Sequence, residues 1–195
     1  MRSWLLALAL LVPTAALAAE GHPTLPASKV ETGGDSLYVL DGKLTDQDGK
    51  EVTLANFRGK PVLISMFYAT CPHACPMLVS DVRKIDSQLD PALRKEVQVV
   101  LVTFDPDRDT PEALAKVREA HKVDKDRWTF LRTDPGFVRE LAAVLGIRYR
   151  FTPDGAIGHS SVITLLDRDG AIVSRVEGVR QPADDIVRKL NAMKK

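Results

Sequence analysis

The chain has 195 residues, 45% hydrophobic, 27% charged and 6% aromatic, with a formal net charge of +1 at pH 7. So even a balance gives no electrostatic case for nucleic acid or a polyanionic surface as partner. The length suits one domain with a sizeable core, and no repeat or low-complexity stretch divides it.

The N-terminus has the parts of a secretion signal: Arg2, the apolar stretch Trp4–Val12, and Ala16-Leu17-Ala18 as the small-x-small cleavage pattern. Residues 1–18 are therefore expected to be removed. The apolar stretch is too short to span a bilayer, and no later one is long enough. No cysteine near the cleavage point offers a lipid anchor. The mature protein is expected to be exported, periplasmic if the source is Gram-negative, with no stable membrane span. Residues 19–36, with Pro23, Pro26, Gly33 and Gly34, read as a flexible tether to a domain at 37–195.

Leu37–Leu40 and Lys50–Leu54 flank the turn-rich Thr45–Gly49, a hairpin signal. Phe57-Arg58-Gly59-Lys60 is a second break. Pro61–Phe67 is a continuous apolar run, expected for a strand covered on both faces. Met77–Leu89 has apolar residues at helical spacing, and Val97–Phe104 reads as a central strand. Asp109-Thr110-Pro111-Glu112 starts a helix reaching about His121. Trp128–Leu131 reads as a short strand, and Asp134-Pro135 opens a helix ending near Gly146. Ile147–His159 reads as a long loop. Ser161–Leu166 and Ala171–Val176 flank an Asp-Gly turn as a second hairpin, and Pro182–Met193 closes as an amphipathic helix. This order implies an α/β fold with an N-terminal β-hairpin and helices on both faces of a mixed central sheet. A thiol pair between a central strand and the next helix is the layout of a thioredoxin-like fold, here of the peroxiredoxin-like variety.

That pair is the only cysteine pair in the chain, in Cys71-Pro72-His73-Ala74-Cys75-Pro76. The domain is large enough not to need a staple, and so short a loop gains little from one. Cys71 is expected in the loop leaving the strand and Cys75 at or near the helix N-cap, with Pro76 starting the helix. The positive end of the helix dipole favours thiolate there, the form that attacks disulfides and binds metals. The C-x-x-x-C spacing lets the sulfurs open around a soft metal yet stay close enough to oxidise. Thiolates with an imidazole favour copper or zinc over hard cations. Of four histidines, His22 lies in the tether and His121 late on a surface helix. His73, between the cysteines, is an accessory candidate. His159, entering a core strand, is the stronger one.

Leu44–Lys50, Phe57–Lys60, the Cys71/Cys75 motif, Thr103-Phe104-Asp105-Pro106-Asp107-Arg108-Asp109-Thr110-Pro111 and His159 together resemble the Sco/SenC family of copper-binding, thioredoxin-like cytochrome c oxidase assembly proteins. The resemblance covers about Leu37 to Leu190. It implies Cys71, Cys75 and His159 as ligands of Cu(I) or Cu(II). The chain carries His73 where the family motif usually has Asp, and Gly158 where Asp commonly precedes the distal histidine. Two carboxylates are thus missing near the metal position. Asp105 and Asp109 are expected to organise their loop and cap the helix rather than bind metal.

Three functions compete. A copper chaperone would use all three ligands to metallate a cuproprotein client such as an oxidase subunit with a dinuclear copper centre, served by a copper donor protein and a thiol reductant. A thiol–disulfide oxidoreductase would need only Cys71 and Cys75 as a redox disulfide, keeping client metal-site cysteines reduced. A thioredoxin-like peroxidase would need a positioned arginine, and none adjoins the motif.

Overall fold

A computed structural model describes residues 36–71, 74–153 and 155–194. The expected secretion signal, the tether except Ser36, and Pro72 and His73 lie outside the described residues, as do the side chains of Ala74 and Cys75. The strands are β1 (Leu44–Asp46), β2 (Glu51–Val52), β3 (Val62–Phe67), β4 (Gln98–Thr103), β5 (Trp128–Thr133), β6 (Tyr149–Phe151), β7 (Ile157–His159), β8 (Val162–Leu166) and β9 (Ile172–Glu177). The helices are α1 (Ala74–Ser87), α2 (Pro91–Arg94), α3 (Pro111–His121), α4 (Pro135–Leu145) and α5 (Asp184–Ala192).

Seven strands form one sheet in the order β2-β1-β5-β4-β3-β8-β9, and β6 and β7 pair separately. β3 runs parallel to β4 and antiparallel to β8, so the sheet is mixed, as expected. Every residue of β3, β4 and β8 is buried, which explains why these segments read as unbroken apolar runs. Their side chains alternate between two cores. Val62, Ile64, Met66, Val100 and Val102 face one, with Leu141 and Leu145 of α4. Leu63, Phe67, Val99 and Leu101 face the other, with Val82 and Ile85 of α1, Leu114 of α3 and Ile186 of α5. Fully burying such a side chain contributes about 1.5–3 kcal/mol.

Capping explains where α3 and α4 start. Thr110 accepts from Ala113 N–H ahead of Pro111, and Asp134 accepts from Gly136 and Phe137 N–H ahead of Pro135. Gly146, at φ 72°, ends α4.

Three expectations need correction. Leu37–Val39 is a 3-10 turn, not a hairpin strand. Ser36 accepts from Tyr38 N–H, and Leu37 N–H donates to the Gly170 carbonyl, so the segment is spent on docking to the distant hairpin turn. The N-terminal hairpin exists, but its strands are β1 and β2, with Leu44 opposite Val52. α1 begins at Ala74, earlier than Met77, because a first-turn amide needs no intrahelical acceptor and Pro76 is tolerated there. The long loop from Ile147 holds the β6–β7 hairpin, with Tyr149 opposite His159 and Phe151 opposite Ile157.

Candidate metal centre

The site is built at the C-terminal ends of the parallel strands β3 and β4. Past β3, Cys71 N–H donates to the Tyr68 carbonyl (3.2 Å), closing a tight turn that lifts the chain off the sheet. Cys71 is half-buried and packs against both cores. Cys75 is the second residue of α1, inside its first turn rather than at the N-cap. That turn carries no acidic residue, so nothing on the helix offsets the positive end of its dipole.

His159 ends β7 opposite Tyr149. Its ring lies against Phe104, with centroids 4.9 Å apart, and meets the Tyr68 ring edge-on at 5.9 Å. Phe104 in turn stacks on Tyr149 at 4.9 Å. Tyr68 therefore touches the imidazole with its ring and holds Cys71 through its carbonyl. The Cys71 turn and the His159 ring thus meet on one residue.

Nδ1 of His159 lies 3.1 Å from the Ser160 carbonyl. A carbonyl can only accept, so Nδ1 carries the hydrogen and Nε2 of the neutral ring keeps its lone pair. Burial pushes the His159 pKa below its ordinary value, and the Ser160 contact raises it back only in part. The ring is thus neutral near pH 7 with one nitrogen available to a soft or borderline metal.

Asp109 is 1% exposed and accepts at Oδ2 from Ala69 N–H (2.9 Å) and from the Thr103 hydroxyl. Asp105 pairs with Arg108. Both carboxylates organise the loop as expected, while the helix cap itself falls to Thr110. His121 sits in the last turn of α3, its carbonyl bonded to Arg83 of α1. Gly158 is exposed, and a Cβ there would lie 3.8 Å from the Arg150 side chain, ordinary contact. Among the described residues no three His, Cys, Asp or Glu side chains cluster closely enough to hold a metal. His73 and the Cys75 side chain lie outside that set.

The aromatic seat of His159, made by Tyr68, Phe104 and Tyr149, escapes a reading by motif. The one available signal is the alternation of Tyr149 and Phe151 on either side of Arg150, a strand period inside what reads as loop.

Residues 32–195 match the family model SCO1/SenC. The SCO1 protein homolog of Bacillus subtilis (strain 168) is 27% identical over 146 residues, covering 73% of this chain and 75% of that protein. The mitochondrial SCO2 homolog of Mus musculus is 32% identical over 160 residues, 77% of this chain and 60% of that longer protein. Among solved structures, copper-bound ScoI of Bradyrhizobium japonicum superposes with a TM-score of 0.65 at 25% identity, over 78% of this chain and 97% of that one. The fold is accordingly the thioredoxin-like one of the Sco structures.

Proposed function

We propose that this chain, which belongs to the SCO1/SenC family, is an exported copper chaperone holding copper through Cys71, Cys75 and His159. Its client is a cuproprotein such as the dinuclear copper centre of a cytochrome c oxidase, loaded after a copper donor and a thiol reductant have prepared the chaperone. The observation that carries the reading is the imidazole: half-buried, neutral, bonded through Nδ1 to Ser160 and seated on Tyr68, whose carbonyl holds the Cys71 turn. A reductase has no use for such a ring. Two thiolates suit Cu(I), and a neutral imidazole adds the ligand better suited to Cu(II). Export rests on residues 1–18. Among the described residues no helix is long and apolar enough to cross a membrane.

The second reading, a thiol–disulfide oxidoreductase, is favoured by Cys75 in the unopposed first turn of α1. The two readings use one site in different redox states. Copper titration of reduced protein tests the first. The chaperone reading expects one copper per chain and a sulfur-to-copper charge-transfer band with Cu(II), lost in Cys71→Ser and Cys75→Ser. Unchanged stoichiometry and spectrum in both variants would refute it.

A further inference from the structure

We propose that the loop joining β4 to α3 sets the two arms of the site against each other, with Asp109 positioning the cysteine arm and Arg108 the histidine arm. The inference deepens the copper-site reading and rests on it for its purpose.

A continuous chain of polar contacts carries the argument. Ala69, two residues before Cys71, donates its N–H to Asp109 Oδ2 (2.9 Å). The same oxygen accepts from the Thr103 hydroxyl, and that hydroxyl accepts from Asp105 N–H (3.0 Å). The Asp105 carboxylate pairs with Arg108 Nε, and Arg108 Nη2 donates to the Gly155 carbonyl (2.9 Å). Gly155 lies between β6 and β7, two residues before the strand that ends on His159. The contacts therefore run from the thiol turn to the histidine hairpin through a single loop.

Helix capping does not account for Asp109, because Thr110 already caps α3. Nor does stability. Burial pushes the Asp109 carboxyl up from its ordinary range, with Asp105 adding to the shift, although the Thr103 and Ala69 bonds pull the other way. A carboxyl group buried at that cost, with one oxygen accepting from both Ala69 and Thr103, fits a group kept for its acceptor geometry. Core packing does not account for Arg108 either, since its side chain is 50% exposed. It has reach, and it spends that reach on a backbone carbonyl of the hairpin.

The test uses full-length, reduced, metal-free protein and reads amide hydrogen exchange at Ala69 and Gly155. The equilibrium between the Cys71/Cys75 pair and glutathione is read alongside. Asp109→Ala is expected to speed Ala69 exchange about tenfold or more, as loss of a buried acceptor implies, and to displace the glutathione equilibrium. Asp109→Asn, whose carbonyl can accept the same two bonds, is expected to stay near wild type in both. Arg108→Ala is expected to speed exchange at Gly155, whose N–H is held by the Thr152 carbonyl, and to shift the Cu(II) spectrum while leaving Ala69 and the glutathione equilibrium unchanged. Thr103→Val, cutting the chain at its centre, is expected to loosen both amides, and it stands in if Asp109→Ala fails to fold. Wild-type exchange at Ala69 in Asp109→Ala, or at both amides in Thr103→Val, would overturn the proposal. So would Asp109→Asn as defective as Asp109→Ala. The exchange readouts need no metal, so a failure to bind copper counts against the proposed function alone.

Discussion

Phe104, the first residue past β4, lies with its ring centroid 4.9 Å from that of His159, the last residue of β7. The strand beside the thiol strand thus supplies the wall against which the candidate ligand rests. Phe104 is 1% exposed, so truncation leaves a void as well as a loose imidazole. Phe104→Leu is expected to cost about 1–3 kcal/mol in urea unfolding and to weaken Cu(II) binding. Wild-type Cu(II) affinity in this variant would show that the ring packs the core without orienting His159.

Asp109 predicts a dependence of stability on pH. Its folded pKa is raised above the ordinary carboxylate value of 3.8, chiefly by burial. A raised carboxyl favours folding when protonated. Its penalty is absent below the unfolded value and grows as pH rises through the folded one. Asp109→Asn should therefore be more stable than wild type at pH 7, and the advantage should vanish as pH falls toward 3.8 and below. Urea midpoints at pH 7 and pH 3.5 check this. An advantage that persists at the lower pH would assign it to something other than the charge.

Gly170 offers a change of stability that spares the site. It turns the β8–β9 hairpin at φ 88°, and a Cβ there would run into the Tyr38 ring and the Ser36 hydroxyl. Gly170→Ala combines a left-handed backbone cost with overpacking, about 2–4 kcal/mol together. The turn lies at the far end of β8 from the Val162 end that adjoins His159. The urea midpoint should fall while the Cu(II) spectrum of the folded protein stays unchanged. A changed spectrum would mean that the two ends of the sheet are coupled.

Much of this was legible in the sequence, for identifiable reasons. β3, β4 and β8 are buried on both faces, so their composition is decided by the sheet alone. Thr110-Pro111, Asp134-Pro135 and Gly146 state their helix ends through local chemistry. Leu37–Val39 reads as a strand but is set by a long-range backbone bond from Leu37 N–H to the Gly170 carbonyl, which no local period encodes. The β6–β7 hairpin is hard to read because its strands are only three residues long and are joined through a turn containing Pro153 and Gly155. For the candidate site, residue type alone nominates Cys71, Cys75 and His159. The chain of contacts through Thr103, Asp105, Arg108 and Asp109 does not stand out, because those residues read equally well as a polar turn before a helix.

In reduced, metal-free protein exposed to air, Cys71 and Cys75 are expected to join in an intramolecular disulfide. The thiolate of one is oxidised with the other, and oxygen or an added disulfide takes up the electron pair. Mass spectrometry should find the chain lighter by two hydrogens, and the oxidised form should no longer hold copper, since disulfide sulfur is no thiolate ligand. Stable free thiols after prolonged aeration would count against a redox role.

His159 is expected to matter for metal and little for thiol exchange. Its ring is held on Phe104 and Tyr68, and its Nδ1 is committed to Ser160, so Nε2 is the nitrogen it can offer. Thiol exchange needs none of this, because the electrons move between sulfurs. His159→Ala should therefore weaken Cu(II) more than Cu(I), since Cu(I) is content with two thiolates. It should shift the visible spectrum and leave the rate of disulfide reduction within a few-fold, about the scale of an indirect effect. His73 is the rival, lying between the two cysteines in sequence. Parallel titrations of His73→Ala and His159→Ala separate them. Loss of the Cu(II) spectrum in His73→Ala with none in His159→Ala would place the third ligand inside the thiol loop. The aromatic seat of His159 would then serve packing alone.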